Sequence, residues 1–179
     1  MFSCRNLVIA IIVLALFSIN VIAQDKRSGG PYPDDPYRIS GESHLRNIKM
    51  LTRGGQNAEA YLSFAEDKLI YQSDDDTLPC DQIFIMNLDG TNKHMVSNSK
   101  GRTTCAYFLP GDSTIIYAST FMDDSACPAP PDMSKGYVWQ LYDTFDIFSS
   151  KADGTNIKRL TNSDGYDAEA AVSPVNDKI

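Results

Sequence analysis

The sequence predicts an all-β fold made of β-propeller blades, each blade a four-stranded antiparallel meander. Two observations predict it: an internal repeat, and short apolar runs separated by turn residues without a helical pattern between them. Repeats of about 46 residues are typical of solenoids and propellers. Four short strands in about 46 residues favour the propeller.

The internal repeat aligns two segments at a constant offset without any gap. Residues 83–106 align with residues 147–170, with ten identities in 24 positions. A further copy begins earlier, because residues 52–60 match residues 161–170 with one gap. The repeat unit is therefore sampled three times.

Each repeat unit contains four predicted strands. Asp89-Gly90 and Asp153-Gly154 fall between the third and fourth strands, where glycine accepts the positive φ of a hairpin turn. The apolar and β-branched runs predict the strands of the first unit at residues 58–64, 68–72, 82–88 and 94–96.

The repeats resemble those of a known family. The segments that carry the resemblance are residues 51–55, 58–60, 69–73, 82–90 and 159–174, which are similar to the WD-like repeats of TolB-type β-propellers. The resemblance covers residues 45–179. Where the family has a Ser-Pro-Asp-Gly-Lys-like turn, this chain has Ser63-Phe64-Ala65-Glu66-Asp67. The resemblance implies a propeller fold and says little about function.

The ends of the repeats predict a truncated ring. Residues 49–52 align with residues 158–161, so an outermost strand has no inner strands before it. The sequence stops at Ile179, just as the third copy would begin its second strand. About two and a quarter blades cannot close a ring, which typically needs at least four. We therefore expect a C-terminally truncated piece of a longer, six-bladed protein. The alternative is a complete small protein whose fold is finished by oligomerisation.

The N-terminus has the pattern of a secretory signal peptide. Arg5 precedes an apolar run at residues 7–22, and Ala23 offers a cleavage site. The alternative, a membrane anchor, needs roughly 20 apolar residues. We predict a signal peptide at residues 1–23, a flexible linker or arm rich in glycine and proline at residues 24–44, and a periplasmic or secreted protein without stable membrane insertion.

Composition narrows the classes of function. Lys and Arg number 16 against 23 Asp and Glu, for a net charge of −7, which disfavours nucleic-acid binding. His44 and His94 are the only histidines, which leaves little room for a His-based zinc site or a nucleophile–histidine pair. We expect no cofactor and no metal. The aspartates at positions 74, 75, 76, 81, 123 and 124 lack the spacing of a calcium loop, so solvated turns are favoured.

Three cysteines are expected on one face of the ring. In a four-stranded meander, the start of the first strand and the connection between the second and third strands lie at the same end. Cys80, Cys105 and Cys127 fall at such places, and because three is an odd number, one must stay free or find another partner. We expect Cys105 to be the shared neighbour, with Cys105–Cys127 slightly favoured over Cys80–Cys105. Buried free thiols are the alternative.

The second unit carries an insertion that makes it distinctive. The stretch from Ile115 to Ile147 is more than twice as long as the corresponding stretch from Leu69 to Ile83. Exposed Tyr and Trp on long loops make effective binding anchors. Tyr137 and Trp139 are therefore binding candidates, with packing of the insertion onto its own blade as the alternative.

Two glutamates also belong to the candidate site. Glu59 and Glu169 occupy equivalent positions at the start of inner strands, near the expected central channel. Their equivalent places in the repeat explain these two glutamates as well as a catalytic role does.

We expect an exported, non-catalytic binding module that presents one face to a protein or an envelope polymer. One alternative is the propeller domain of a prolyl-oligopeptidase-like peptidase, although the nucleophile motif Gly-x-Ser-x-Gly is absent from the chain. The other is a propeller lyase acting on acidic sugars, which the acidic balance disfavours.

Overall fold

The computed structural model describes residues 35–74, 77–173 and 178–179. The chain divides into two compact units, Met1–Lys49 and Met50–Ile179. No helix in these described residues is long and apolar enough to cross a membrane. The predicted signal peptide and the first part of the predicted linker, residues 24–34, lie outside the described residues.

The described part of the first unit, residues 35–49, consists of turns and irregular backbone. The carboxylate of Asp35 accepts hydrogen bonds from the backbone N–H of Asn47 at 2.7 Å and of Ile48 at 3.1 Å. These bonds tie the two ends of this segment together.

The second unit contains two four-stranded antiparallel sheets, so the predicted all-β fold class is confirmed. The order is β1-β2-β3-β4 in the first sheet and β5-β6-β7-β8 in the second, which is the meander of a propeller blade. The strands are β1 (Asn57–Leu62), β2 (Lys68–Ser73), β3 (Gln82–Asn87), β4 (His94–Met95), β5 (Thr103–Phe108), β6 (Thr114–Ser119), β7 (Asp146–Lys151) and β8 (Lys158–Arg159).

The first strand of each sheet contains a bulge. On β1 the pairing with β2 shifts between Ala58 and Tyr61, and on β5 the pairing with β6 shifts between Thr104 and Tyr107. Each shift leaves one extra residue in the first strand, which bends it locally. The bulged backbone has φ of 50° at Glu59 and 53° at Cys105, the left-handed region.

The two sheets pack face to face as successive blades do. Five of the six residues of β3 and three of the six residues of β2 are buried, in agreement with the apolar runs at the centres of these strands. The core between the sheets joins Ile70, Ile83, Ile85 and Val96 of the first sheet to Ala106, Phe108, Ile115, Tyr117 and Phe148 of the second.

Residues 166–172 cover the other face of the second sheet. Alternate residues of this segment, Tyr166, Ala168, Ala170 and Val172, pack against Ile116, Ala118, Phe145 and Ile147. The repeat alignment makes them equivalent to Arg102, Thr104, Ala106 and Phe108. The segment thus lies where a third inner strand belongs, although it forms no strand pairing within the described residues.

The Asp-Gly turns dock each sheet onto the preceding repeat. Gly154 has φ of 81°, and a Cβ there would lie 2.6 Å from the carbonyl oxygen of Val96, so only glycine fits. Gly90 has φ of 83° and approaches Leu51 in the same way. Leu51 and Val96 are equivalent positions. Leu51 therefore occupies the place that the repeat predicts. The strand expected at residues 49–52 is wrong, because no strand of the described residues lies beside this segment to pair with it.

The cysteine pairing differs from the favoured prediction. Cys80 and Cys127 form a disulfide with Cα atoms 6.0 Å apart, and Cys105 is a free thiol. The expectation that Cys105 is the shared partner is wrong because Cys105 is the bulge residue of β5, whereas Cys127 lies in the insertion near the loop that precedes β3. The disulfide therefore joins the insertion of the second sheet to the first sheet.

Candidate functional site

A cavity of about 550 Å³ lies between the inner strands and the insertion. We use "the insertion" for residues 120–145, which connect β6 to β7. One wall comes from β1, β5 and the segment that begins at Tyr166. The insertion supplies the other wall with Pro131, Met133, Tyr137, Val138, Trp139, Gln140, Tyr142 and Phe145.

Equivalent bulge positions of three successive repeats line the cavity. Glu59, Cys105 and Glu169 are related by the repeat, and all three have positive φ, which is 57° at Glu169. The N–H of Cys105 donates a hydrogen bond of 3.1 Å to Oε1 of Gln72. That side chain also lines the cavity, so the bulge backbone is fixed by a cavity residue.

The positions three residues before each bulge also line the cavity, with Gln56, Arg102 and Tyr166. Gln56 donates to the Asp74 carboxylate through its backbone N–H at 2.5 Å and through Nε2 at 3.1 Å. Nε of Arg102 lies 3.5 Å from Oδ2 of Asp81. Gln56 thus fixes the Asp74 carboxylate through two hydrogen bonds, whereas Arg102 and Asp81 form only an ion pair.

The cavity carries excess negative charge. Among the described residues, its lining contains the carboxylates of Glu59, Asp74, Asp81 and Glu169 and a single cationic side chain, Arg102. Burial is the main cause that raises the pKa of the Asp81 carboxyl, with Arg102 opposing the rise.

The Cys105 thiol lies in the same negatively charged surroundings. Its pKa is raised first by burial and then by the charges of Glu169, Glu59 and Asp81, while a hydrogen bond with Thr104 lowers it. Carboxylates from three different segments therefore act on one atom, as expected when they surround a shared space.

Aromatic rings form much of the lining. Tyr61 and Tyr107, each two residues after a bulge, have ring centroids 4.1 Å apart. The hydroxyl of Tyr61 donates a hydrogen bond to Oε2 of Glu59, which is the largest cause of the raised pKa of Tyr61. Phe145 meets Tyr166 edge to face at 5.6 Å. The cavity is thus lined by aromatic rings as well as by carboxylates.

The four binding candidates from the sequence come together in this cavity. Glu59 and Glu169 lie on the inner-strand wall, and Tyr137 and Trp139 lie on the insertion. The side chains of Tyr137 and Trp139 are 78% and 68% exposed, so they are not packed onto their own blade. Cys105, expected in a disulfide, is a fifth member.

Sequence reasoning missed several cavity residues that the repeat itself could have found. The repeat relates Glu59 to Cys105 and Glu169, and it relates Gln56 to Arg102 and Tyr166 in the same way. Tyr61 and Tyr107 are a further equivalent pair. The repeat alignment therefore indicated these cavity positions, although the residue type differs from one repeat to the next.

Four of the six aspartates considered for calcium, Asp74, Asp81, Asp123 and Asp124, lie in the described residues. Asp74 and Asp81 line the cavity, Asp75 and Asp76 lie outside the described residues, and the carboxylate of Asp124 accepts the N–H of Ala126 at 2.9 Å. In residues 35–74, 77–173 and 178–179, no group of three or more His, Cys, Asp or Glu is placed to hold a metal ion.

No protein-family model and no curated protein matches the chain. Among solved structures, the chain is similar to one described as a "putative TolB from Agrobacterium tumefaciens", with 18% identity and a TM-score of 0.48. The match covers 66% of this chain and 38% of that one. The chain thus spans well under half the length of that protein.

Proposed function

We propose that the protein is an exported, non-catalytic binding module that presents the cavity and the insertion to a partner protein or envelope polymer. The observation that carries the proposal is the convergence of equivalent inner-strand positions from three repeats with exposed aromatic side chains of the insertion. Concave sites with apolar walls and a few placed polar groups are the usual form of binding sites.

The exposed apolar surface of the insertion supports a macromolecular partner. Met133, Tyr137, Val138, Trp139 and Leu141 are all substantially exposed and lie close together in the chain. Patches of this kind on a rigid scaffold commonly mark interaction sites. Tyr and Trp are also among the residues most enriched at positions that dominate interface energies.

The raised pKa of the Cys105 thiol disfavours a role for Cys105 as a nucleophile. A nucleophilic cysteine needs a lowered pKa, which comes from nearby positive charge. Burial and the carboxylates around Cys105 raise its pKa instead.

Site-specific photocrosslinking in the producing cells tests the partner. A photoreactive phenylalanine analogue at Tyr137 should give a discrete crosslinked product of higher mass. The matched control is Phe64, which is 57% exposed, lies between β1 and β2 and does not line the cavity. Equal crosslinking at both positions, or none at Tyr137, would contradict the proposal.

Export has its own test. Cell fractionation and N-terminal sequencing of the purified protein should place it outside the cytoplasm and return a chain that begins at Gln24. Recovery of intact Met1 from the cytoplasmic fraction would overturn the export part of the proposal and leave the binding part in place.

A further inference from the structure

Two cavity carboxylates stand without a cationic partner in the described part of the chain. Arg102, the one cation that the described residues give to the lining, lies beside Asp81, and Asp74 accepts hydrogen bonds from Gln56. Glu59 and Glu169 form no ion pair within residues 35–74, 77–173 and 178–179. The cavity can therefore accept further positive charge.

The aromatic walls suit the same kind of guest. Cations are attracted to the faces of Trp and Tyr rings within about 6 Å of the centroid. The cavity already contains one such arrangement, because the guanidinium carbon of Arg102 lies 6.0 Å from the centroid of Tyr142. Tyr61, Tyr107, Tyr137, Trp139 and Tyr166 supply further rings in the same lining as Glu59 and Glu169.

The size of the cavity sets the scale of the guest. A volume of about 550 Å³ is within the range of sites that take small ligands or a few side chains. The lining includes the exposed Tyr137 and Trp139, so a longer chain can continue along these two residues outside the cavity.

Resting on the proposed binding function, we propose that the cavity receives a protonated lysine or arginine side chain of a partner polypeptide. Glu59 and Glu169 neutralise the cationic head, and the surrounding rings contact the head and its aliphatic stem. The insertion then contacts the flanking residues of the partner.

The test uses Trp139, the only tryptophan of the chain, as its reporter. The probes are the capped tripeptides Ala-Lys-Ala and Ala-Arg-Ala, their neutral counterparts with norleucine or citrulline, and Ala-Glu-Ala. Fluorescence titration of the purified protein should show affinities for the cationic peptides about tenfold or more above those for the neutral peptides. The preference should weaken as salt is added.

Charge-neutral variants identify the residues responsible. Glu59→Gln with Glu169→Gln should reduce the preference for lysine over norleucine at least fivefold. Glu66→Gln is the matched control, because Glu66 is exposed, has a similar φ of 54° and does not line the cavity. Circular dichroism of each variant establishes that it is folded before titration.

The outcomes separate this inference from the function on which it rests. If norleucine and lysine peptides bind equally, or if no cationic peptide perturbs Trp139 while Tyr137 still crosslinks a partner, the cation site is wrong and the binding module stands. If lysine peptides bind with the expected preference and crosslinking at Tyr137 fails, the cation site stands and the macromolecular partner is wrong.

Discussion

The two sheets have the same strand order and pairing, and they differ in the length of one connection. In both, the second and third strands pair along their whole length, and the first strand carries a bulge at the same position. The connection between those strands spans residues 74–81 in the first sheet and residues 120–145 in the second, so the second connection is more than three times as long. The repeated strands therefore supply a rigid frame, and the one enlarged loop supplies the wall that turns an inner-strand edge into a cavity.

The covering of the two sheets also differs. The face that contains Ile70 is covered by β5, a strand paired with β6, whereas the equivalent face around Ile116 is covered by residues 166–172, which form no strand pairing in the described residues. Both isoleucines are fully buried. The two equally buried isoleucines therefore differ in the strand pairing of the segment that covers them.

The largest expected effect tests that difference in covering. Ile70→Ala and Ile116→Ala should each lower the free energy of unfolding by about 2–5 kcal/mol, with Ile70→Ala at the upper end. The reason is that residues 166–172 can move into the space left at position 116, whereas the paired β5 cannot follow at position 70. Urea unfolding of both variants measures it. A loss at Ile116 equal to or greater than that at Ile70 would contradict the argument.

The disulfide ties the enlarged connection to the first sheet. The double substitution Cys80→Ser with Cys127→Ser should lower the free energy of unfolding by about 2–4 kcal/mol, because the bond closes a long loop in the unfolded chain. The residues are 47 apart in sequence. Thermal unfolding with and without reductant measures the effect.

Cys105→Ser is the control for the disulfide. That variant should keep the full response to reductant, since Cys105 is a free thiol. Loss of the response in Cys105→Ser would show that Cys105 takes part in the bond after all.

The sequence allowed the strands to be placed closely. Apolar runs bounded by Asp-Gly and Ser-containing turns determine where each strand begins and ends, and the repeat fixes their equivalence. The absence of a strand at residues 49–52 could not be foreseen from its sequence. The equivalent outer strands β4 and β8 are strands because each pairs with the third strand of its sheet, β3 or β7.

The cavity was predictable in parts. Glu59 and Glu169 follow from the repeat, and Tyr137 and Trp139 follow from the insertion, but their convergence depends on the path of a long loop that has no periodicity. The disulfide partner of Cys127 depends on the same path, and connectivity cannot be deduced from sequence alone.

The turns between the first and second strands provide a smaller test of the comparison. Asp112 accepts the backbone N–H groups of Phe64 at 2.7 Å and Ala65 at 2.8 Å, joining the two sheets, and Glu66 is its equivalent in the first sheet. Asp112→Ala should cost about 1–2 kcal/mol of unfolding free energy, because two charge-assisted bonds are lost. Glu66→Ala should cost less than about 0.5 kcal/mol, as expected of an exposed surface position. Similar losses of unfolding free energy in both variants would contradict the expectation that only the Asp112 turn joins the two sheets.

The smallest expected effect concerns Cys105, the position at which the second sheet lacks the glutamate found at the two equivalent positions, Glu59 and Glu169. The thiolate is the reactive form, so the raised pKa of Cys105 should make its alkylation by iodoacetamide slow at pH 8 and faster as the pH rises. Glu169 is the carboxylate that raises this pKa most, although burial is the larger cause. Glu169→Gln should therefore move the pH–rate profile to lower pH and increase the rate at pH 8 by about twofold, while Glu66→Gln leaves it unchanged. Mass spectrometry of the Cys105-containing peptide provides the rates, and a profile identical in Glu169→Gln and the unmodified protein would mean that the cavity carboxylates do not act on the thiol.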